Sequence, residues 1–289
     1  MAANQSALYN LDVPDDIGKL RLDCNLKDGE AEELVELIYS SVEHKKACDI
    51  LRAHASRLKG TLTTSRMPSV VDSEDANVGD FLNALINKTG IKKLIVDKLY
   101  ANKVSFGEGL PAGKTLVVGK TVYADAIGKD ACGGTVINSA NVQKLGEGAR
   151  DSFFVNSGLI DSLGNNARDD ILVNFGHVSY IGSDSKRCML MHYSDWLDLT
   201  SVGMNSCDTV VVTTGSSDRF VGTVRDRYEI GFGKLLFDRP LNGLVKGVRK
   251  ACTDGKYGNA RDLARKVDEH VRQNYEPGTW RKIHEGGFD

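Results

Sequence analysis

The chain has 289 residues, of which 41% are apolar and 26% charged, so a folded core is expected in one large domain or two modest ones. The formal net charge of −2 gives no overall basic field, and neither nucleic acid nor a membrane is expected as a partner. Thirty glycines against five prolines suit a fold with many tight corners and regular backbone pairing.

No apolar run approaches the ~18 residues that a bilayer span needs. The first residues lack the basic-then-apolar order of a secretory leader. The six cysteines (Cys24, Cys48, Cys132, Cys188, Cys207 and Cys252) form no C-x-x-C pair. A reducing, cytoplasmic setting with buried thiols is the expectation.

Taken along the chain, residues 1–91 are expected to form an N-terminal helical segment. Leu34, Val35, Ile38 and Val42, then Ile50, Leu51, Ala55 and Leu58, recur at helical spacing and predict helix over residues 29–59, with Gly60 as a stop. The Ser/Thr/Asp-rich stretch over residues 61–77 predicts a loop. A short helix is expected around Phe81–Asn87.

Residues 92–237 are expected to form a parallel β-solenoid. Four consecutive blocks of 18 residues, over 118–135, 136–153, 154–171 and 172–189, align without gaps, and the second and third share seven identical positions. A fifth block starts at Leu190 and takes an insertion before Val202. Val142, Ile160, Val178 and Trp196 form one apolar column, and Ile127, Leu145, Leu163, Ile181 and Leu199 another. Gly128, Gly146, Gly164 and Gly182 follow the second column directly. Eighteen residues are too few for a helical-hairpin repeat, and the short β-branched segments bounded by Gly or Asn read as strands with corners. Identical residues at a fixed period stack when successive turns lie ~4.8 Å apart. Less regular turns extend both ways, for about eight in all and a rod of very roughly 40 Å.

Three sets of columns carry candidate roles. Asn138, Asn156 and Asn174, continued by His192, predict a hydrogen-bonded structural ladder. Arg150, Arg168 and Lys186 stack as like charges beside Asp151 and Asp169, which neutralise much of their field and read as a cross-paired face rather than an acid–base pair. The junction triplets Phe153-Phe154-Val155, Ile171-Leu172-Val173 and Met189-Leu190-Met191 are apolar throughout. A strand alternates its side chains between faces, so the middle column or both outer columns must point outward. Phe154, Leu172 and Leu190 are the candidate partner-facing wall, to be covered by the helix of residues 29–59 or by a second copy of the chain.

Other motifs are weaker. GLPAGKT (109–115) ends like a phosphate-binding loop, but Gly107 and Gly109 each miss the required first glycine by one residue. Cys188 and His192 on one strand would lie about 13 Å apart and cannot share a metal without another chain. No metal and no cofactor is expected. Residues 238–289 are expected to form a C-terminal helical cap, with Ala260, Leu263, Ala264, Val267 and Val271 on one helix face.

These columns resemble parallel β-helix proteins as a class, with rungs similar to those of bactofilin-type polymerising scaffolds. That resemblance implies a non-catalytic scaffold or protein-interaction module, self-associating or meeting a protein partner. The period of 18 also resembles three hexapeptides of a left-handed β-helix acyltransferase. Phe154, Ile160, Leu172, Val178, Leu190 and Trp196 fit that spacing, while Asn166 and Asp184 break it. The second resemblance implies an intersubunit imidazole base, for which His177 and His192 are the solenoid candidates.

Overall fold

The computed structural model describes residues 30–41, 44–53, 55, 58–72, 77–99, 104–193, 201–202, 205–214 and 227–277. Its elements run in chain order as α1 (Glu30–Ser41), α2 (His44–Ala53), β1 (Lys59–Thr63), a 3₁₀ turn (Thr64–Arg66), α3 (Pro68–Val71), α4 (Val78–Lys88), β2 (Gly90–Leu99), β3 (Ser105–Phe106) and β4 (Thr115–Ile127). Then come β5 (Thr135–Asn138), β6 (Asn141–Leu145), β7 (Phe153–Asn156), β8 (Leu159–Leu163), β9 (Ile171–Asn174), β10 (His177–Ile181), β11 (Met189–His192), β12 (Ser201–Val202), β13 (Val210–Thr213) and β14 (Tyr228–Ile230). Three helices follow: α5 (Phe232–Phe237), α6 (Arg239–Thr253) and α7 (Tyr257–Asn274).

The strands wind into a parallel β-solenoid. Its first wall pairs β4, β5, β7, β9, β11, β13 and β14 in that order, and its second wall pairs β4, β6, β8, β10 and β12. β4 is long enough to turn the corner between them. Isolated parallel bridges link Cys132, Arg150, Arg168, Lys186 and Cys207 along a third side. The register is the 18-residue repeat itself: Phe153 pairs with Ile171, and Ile171 with Met189. The next step, Met189 to Val210, is three residues longer, and so is Tyr180 to Ser201. The insertion therefore falls between β11 and β12. Trp196 and Leu199 lie outside the described residues.

Among the described residues about six turns are complete, against about eight expected. The first wall reaches further towards the N-terminus than expected, because β1 pairs with β2 and β2 with β4. The stretch 61–77 is correspondingly not a plain loop; it supplies the end of β1, the 3₁₀ turn and α3. The helix expected over 29–59 is broken into α1 and α2.

Two apolar cores result. The first fills the solenoid and continues into α1, α2 and α4, where Phe81, Leu82 and Leu85 are fully buried. α4 lies against β3 so closely that a Cβ on Gly79 would stand 2.3 Å from the Ser105 carbonyl oxygen. The N-terminal helices thus share the interior core of the first turns. The second core lies outside the solenoid. It joins Phe153, Val155, Ile171, Val173, Met189, Met191, Val210 and Val212 to Leu241, Val245, Val248, Ala260, Ala264, Val267 and Val271 of α6 and α7. The C-terminal helices are a cover on the side of the first wall rather than a cap over the rod's end.

That arrangement corrects the assignment of the apolar wall. Phe154, Leu172 and Leu190 point inward, at 0%, 0% and 1% exposure, and belong to the interior core. The outer columns of each triplet face outward, and α6 and α7 cover them, not the helix of residues 29–59. The glycine column explains the choice. A Cβ on Gly146 would meet the Phe154 ring at 2.8 Å, and one on Gly164 would meet Leu172 at 2.2 Å. Each large middle-column side chain fills the space its neighbouring glycine leaves.

Candidate functional site: the open second wall

The corner between the walls is occupied by the asparagine column. Asn138 Nδ2 donates to Asn156 Oδ1 at 2.8 Å, and Asn156 Nδ2 to Asn174 Oδ1 at 2.8 Å. Each amide also closes its own turn: Asn156 Nδ2 donates to the Gly158 carbonyl, and Asn156 Oδ1 accepts from the Gly158 N–H. All three side chains are fully buried. Asn174 Nδ2 lies 3.0 Å from His192 Nδ1, so His192 ends the ladder at 3% exposure.

The two imidazoles proposed for an acyltransferase are not brought to one surface. His192 is in the buried corner, whereas His177 opens β10 with a half-exposed side chain whose neighbour Val178 enters the core. Cys188 is buried, and its thiol donates to the Lys186 carbonyl at 3.4 Å. Burial pushes that thiol up to about 12, so it is not a thiolate at neutral pH. Among the described residues no group of three or more His, Cys, Asp or Glu converges as metal ligands would. The lysine of GLPAGKT is turned inward, where Lys114 Nζ donates to the carbonyls of Thr89 at 2.7 Å and Ile91 at 2.5 Å.

On the third side Arg150, Arg168 and Lys186 are exposed and stacked in register. The residues after them, Asp151, Asp169 and Arg187, and Asp208 after Cys207 on the next coil, have φ of 52°, 57°, 53° and 49°. Asp and Asn adopt this left-handed conformation more readily than other non-glycine residues, so the aspartates mark tight turns. Asp169 accepts from Arg187 Nε and Nη2, both at 2.6 Å, and this guanidinium holds its carboxyl below the usual range. This ion pair lies beside the basic column and joins turn residues of successive coils. Two arginines of α7 fasten the cover to the same turns: Arg261 donates to the Asp151 carbonyl, and Arg272 to the carboxylate and, at 3.0 Å, the carbonyl of Asp208.

One polar column lies at the entrance to the first wall. Ser152 Oγ donates to the Arg150 carbonyl and Thr209 Oγ1 to that of Cys207. Between them Asp170, 1% exposed, accepts from the Ser152 N–H at 2.6 Å through Oδ1, while Oδ2 is buried with no hydrogen-bond partner. Burial pushes the Asp170 carboxyl up to about 8. The residue was not singled out from the sequence, although an acid in a Ser/Cys/Thr column was a usable signal.

The second wall differs from all of these because, among the described residues, its outer face carries exposed side chains and no second apolar layer. Tyr123, Asn141, Leu159 and His177 stand in register as one outward column, with Asp125, Gln143, Asp161 and Ser179 beside it. Tyr123 is 58%, Leu159 51% and Tyr180 40% exposed. Tyr123, Asp125, Asn141, Gln143, Leu159 and Asp161 line a shallow depression of about 490 Å³. Lys144 flanks it and pairs with Glu147 at 3.1 Å. Sequence reading missed this surface, since Tyr123 and Leu159 share their column with the polar Asn141 and His177, and Tyr180 falls in another column. No family model, curated protein or solved structure matches the chain.

Proposed function

We propose that the protein is a non-catalytic scaffold that associates with a second copy of itself through the open second wall. The observation that carries this reading is the exposure of Tyr123, Leu159 and Tyr180 on a flat, regularly paired sheet face. Aromatic rings and an isolated leucine within a polar surround suit the centre of a protein interface. Lys144 near Asp125 and Asp161 supplies both charges, as a self-complementary two-fold contact needs.

The burial of His192 speaks against it as the imidazole base of the acyltransferase reading, which then rests on His177, half-exposed in the outward column beside Leu159.

The test is mass in solution over a concentration range, for the wild type and for Tyr123→Lys/Leu159→Lys. The wild type is expected to shift from monomer towards dimer as concentration rises. The double variant, altered only at exposed positions, should remain monomeric with an unchanged unfolding midpoint. A wild-type mass that stays monomeric throughout, or a variant that associates equally well, refutes the assignment.

A further inference from the structure

The solvent side of the C-terminal hairpin differs chemically from the rest of the molecule. Over residues 239–277 nine Lys and Arg face five Asp and Glu, a balance of +4, whereas the whole chain stands at −2 and the remainder at −6. α6 separates its side chains cleanly. Leu241, Val245, Val248 and Cys252 go down to the wall, and Arg239, Gly243, Lys246 and Lys250 form an exposed stripe on the opposite side. On α7, Arg261 and Arg272 are engaged with the wall, while Arg265 and Lys266 are exposed beside the acidic Asp262 and Glu269, and on α6 Lys250 pairs with Asp254 at 3.1 Å.

At the head of that stripe α5 ends on Leu236 and Phe237, which are 55% and 91% exposed. Their neighbour Leu235 is 3% exposed and anchors α5 in the outer core. The junction is held from below as well. Asp238 caps α6 by accepting from the Leu241 N–H at 2.9 Å, and Tyr275 Oη donates to its other oxygen at 2.9 Å. Phe237 is thus a nearly bare phenyl group on a braced support, separated from Arg239 by Asp238.

We propose that this face docks on an anionic lipid surface. Leu236 and Phe237 enter the boundary between headgroups and acyl chains, and Arg239, Lys246, Arg249, Lys250, Arg265 and Lys266 lie over the lipid phosphates. Binding of this kind adds buried apolar area to electrostatic attraction. Each cation held near an anionic leaflet strengthens it by roughly fivefold. The negative remainder of the chain favours turning this face, rather than the chain's acidic surfaces, towards the lipid. A single-stranded nucleic acid is held by successive stacking rings along a groove, whereas here the apolar pair protrudes at one end of the cations. The chain-average charge, from which no membrane partner was expected, conceals this segregation.

The test is flotation of the full chain with vesicles of phosphatidylcholine mixed with phosphatidylserine, and with vesicles of phosphatidylcholine alone. The protein is expected to float with the mixed vesicles only, and less at high salt. Leu236→Ser/Phe237→Ser should lower the bound fraction by about tenfold, and Lys246→Glu/Lys250→Glu should abolish flotation. All four positions are exposed, so unfolding midpoints should not move. Failure to float with the mixed vesicles overturns the proposal. So does unchanged flotation of the serine pair, which would mark simple adsorption of cations. Tighter retention on polyglutamate or single-stranded DNA than on the vesicles would assign the face to that partner instead.

Discussion

The two walls of the solenoid are built from the same inward residues and differ in what they turn outward. Val136, Phe154, Leu172 and Leu190 fill the interior from the first wall, and Val142, Ile160 and Val178 fill it from the second. Outward, the first wall presents Phe153, Val155, Ile171, Val173, Met189 and Met191, and the second presents Asn141, Gln143, Asp161 and Ser179 among its few apolar groups. Inward columns decide that a coil forms, since strands stacked in register must close around an apolar interior. Outward columns decide what happens to each face. A wall apolar on both sides needs a second layer, which is why its strands read as unbroken apolar runs.

The largest expected effect tests that second layer. Phe153 is fully buried between the wall and the helices, so Phe153→Ala should cost about 3–5 kcal/mol in denaturant unfolding. A loss below about 0.5 kcal/mol, the range of surface substitutions, would mean that the hairpin does not cover the wall. The corner joining the walls comes next. Asn156→Ala removes an amide whose partners Asn138, Gly158 and Asn174 stay buried or half-buried, and it should cost about 1–3 kcal/mol. An unchanged midpoint would show that the walls do not depend on the ladder.

Asp170 belongs to the covered side alone, and its effect is read as a slope against pH. Its carboxyl is raised to about 8 in the folded protein, against about 3.9 in an unfolded chain. Between these values the folded state holds a proton that the unfolded state has released. Its contribution is therefore complete below about pH 4 and falls as pH rises towards 8, by up to about 1.4 kcal/mol per unit. Asp170→Asn should flatten this slope and raise stability at pH 8. Equal slopes in the two proteins would show that the acid is solvated. The smallest effect is expected on the open wall, where Leu159→Ala should change monomer stability by less than about 0.5 kcal/mol. A larger loss would mean that the wall is covered after all.

The coil itself was legible because the same residue type returns at the same place: asparagine at 138, 156 and 174, small residues at 131, 149 and 167. Strand alternation alone shows that a triplet such as Phe153-Phe154-Val155 needs a cover, but it leaves open which of its columns points out. The pairing of Gly146 with Phe154 and Gly164 with Leu172 held that information, since a large side chain beside a missing Cβ belongs on the crowded inner side. Side-chain size selects the cover. Ala260, Ala264, Val267 and Val271 make a slim stripe that lets α7 lie close on a sheet. The open wall was illegible for a different reason. Tyr123, Leu159 and Tyr180 come from different rungs and become one surface only when the strands are paired.

The fastening of α7 has a consequence for how such a protein changes length over evolutionary time. Solenoids gain and lose whole repeats readily, because each turn contacts only its neighbours. Here Arg261 and Arg272 grip Asp151 and Asp208, turn residues three rungs apart. Eleven helical residues advance about 16 Å, and three rung steps advance about 14 Å. The helix works as a gauge of fixed span. A repeat duplicated or lost between Asp151 and Asp208 would leave one arginine a full rung from its turn, so the number of turns beneath the helix is set. Turns outside that interval carry no such constraint, and length variation should collect there.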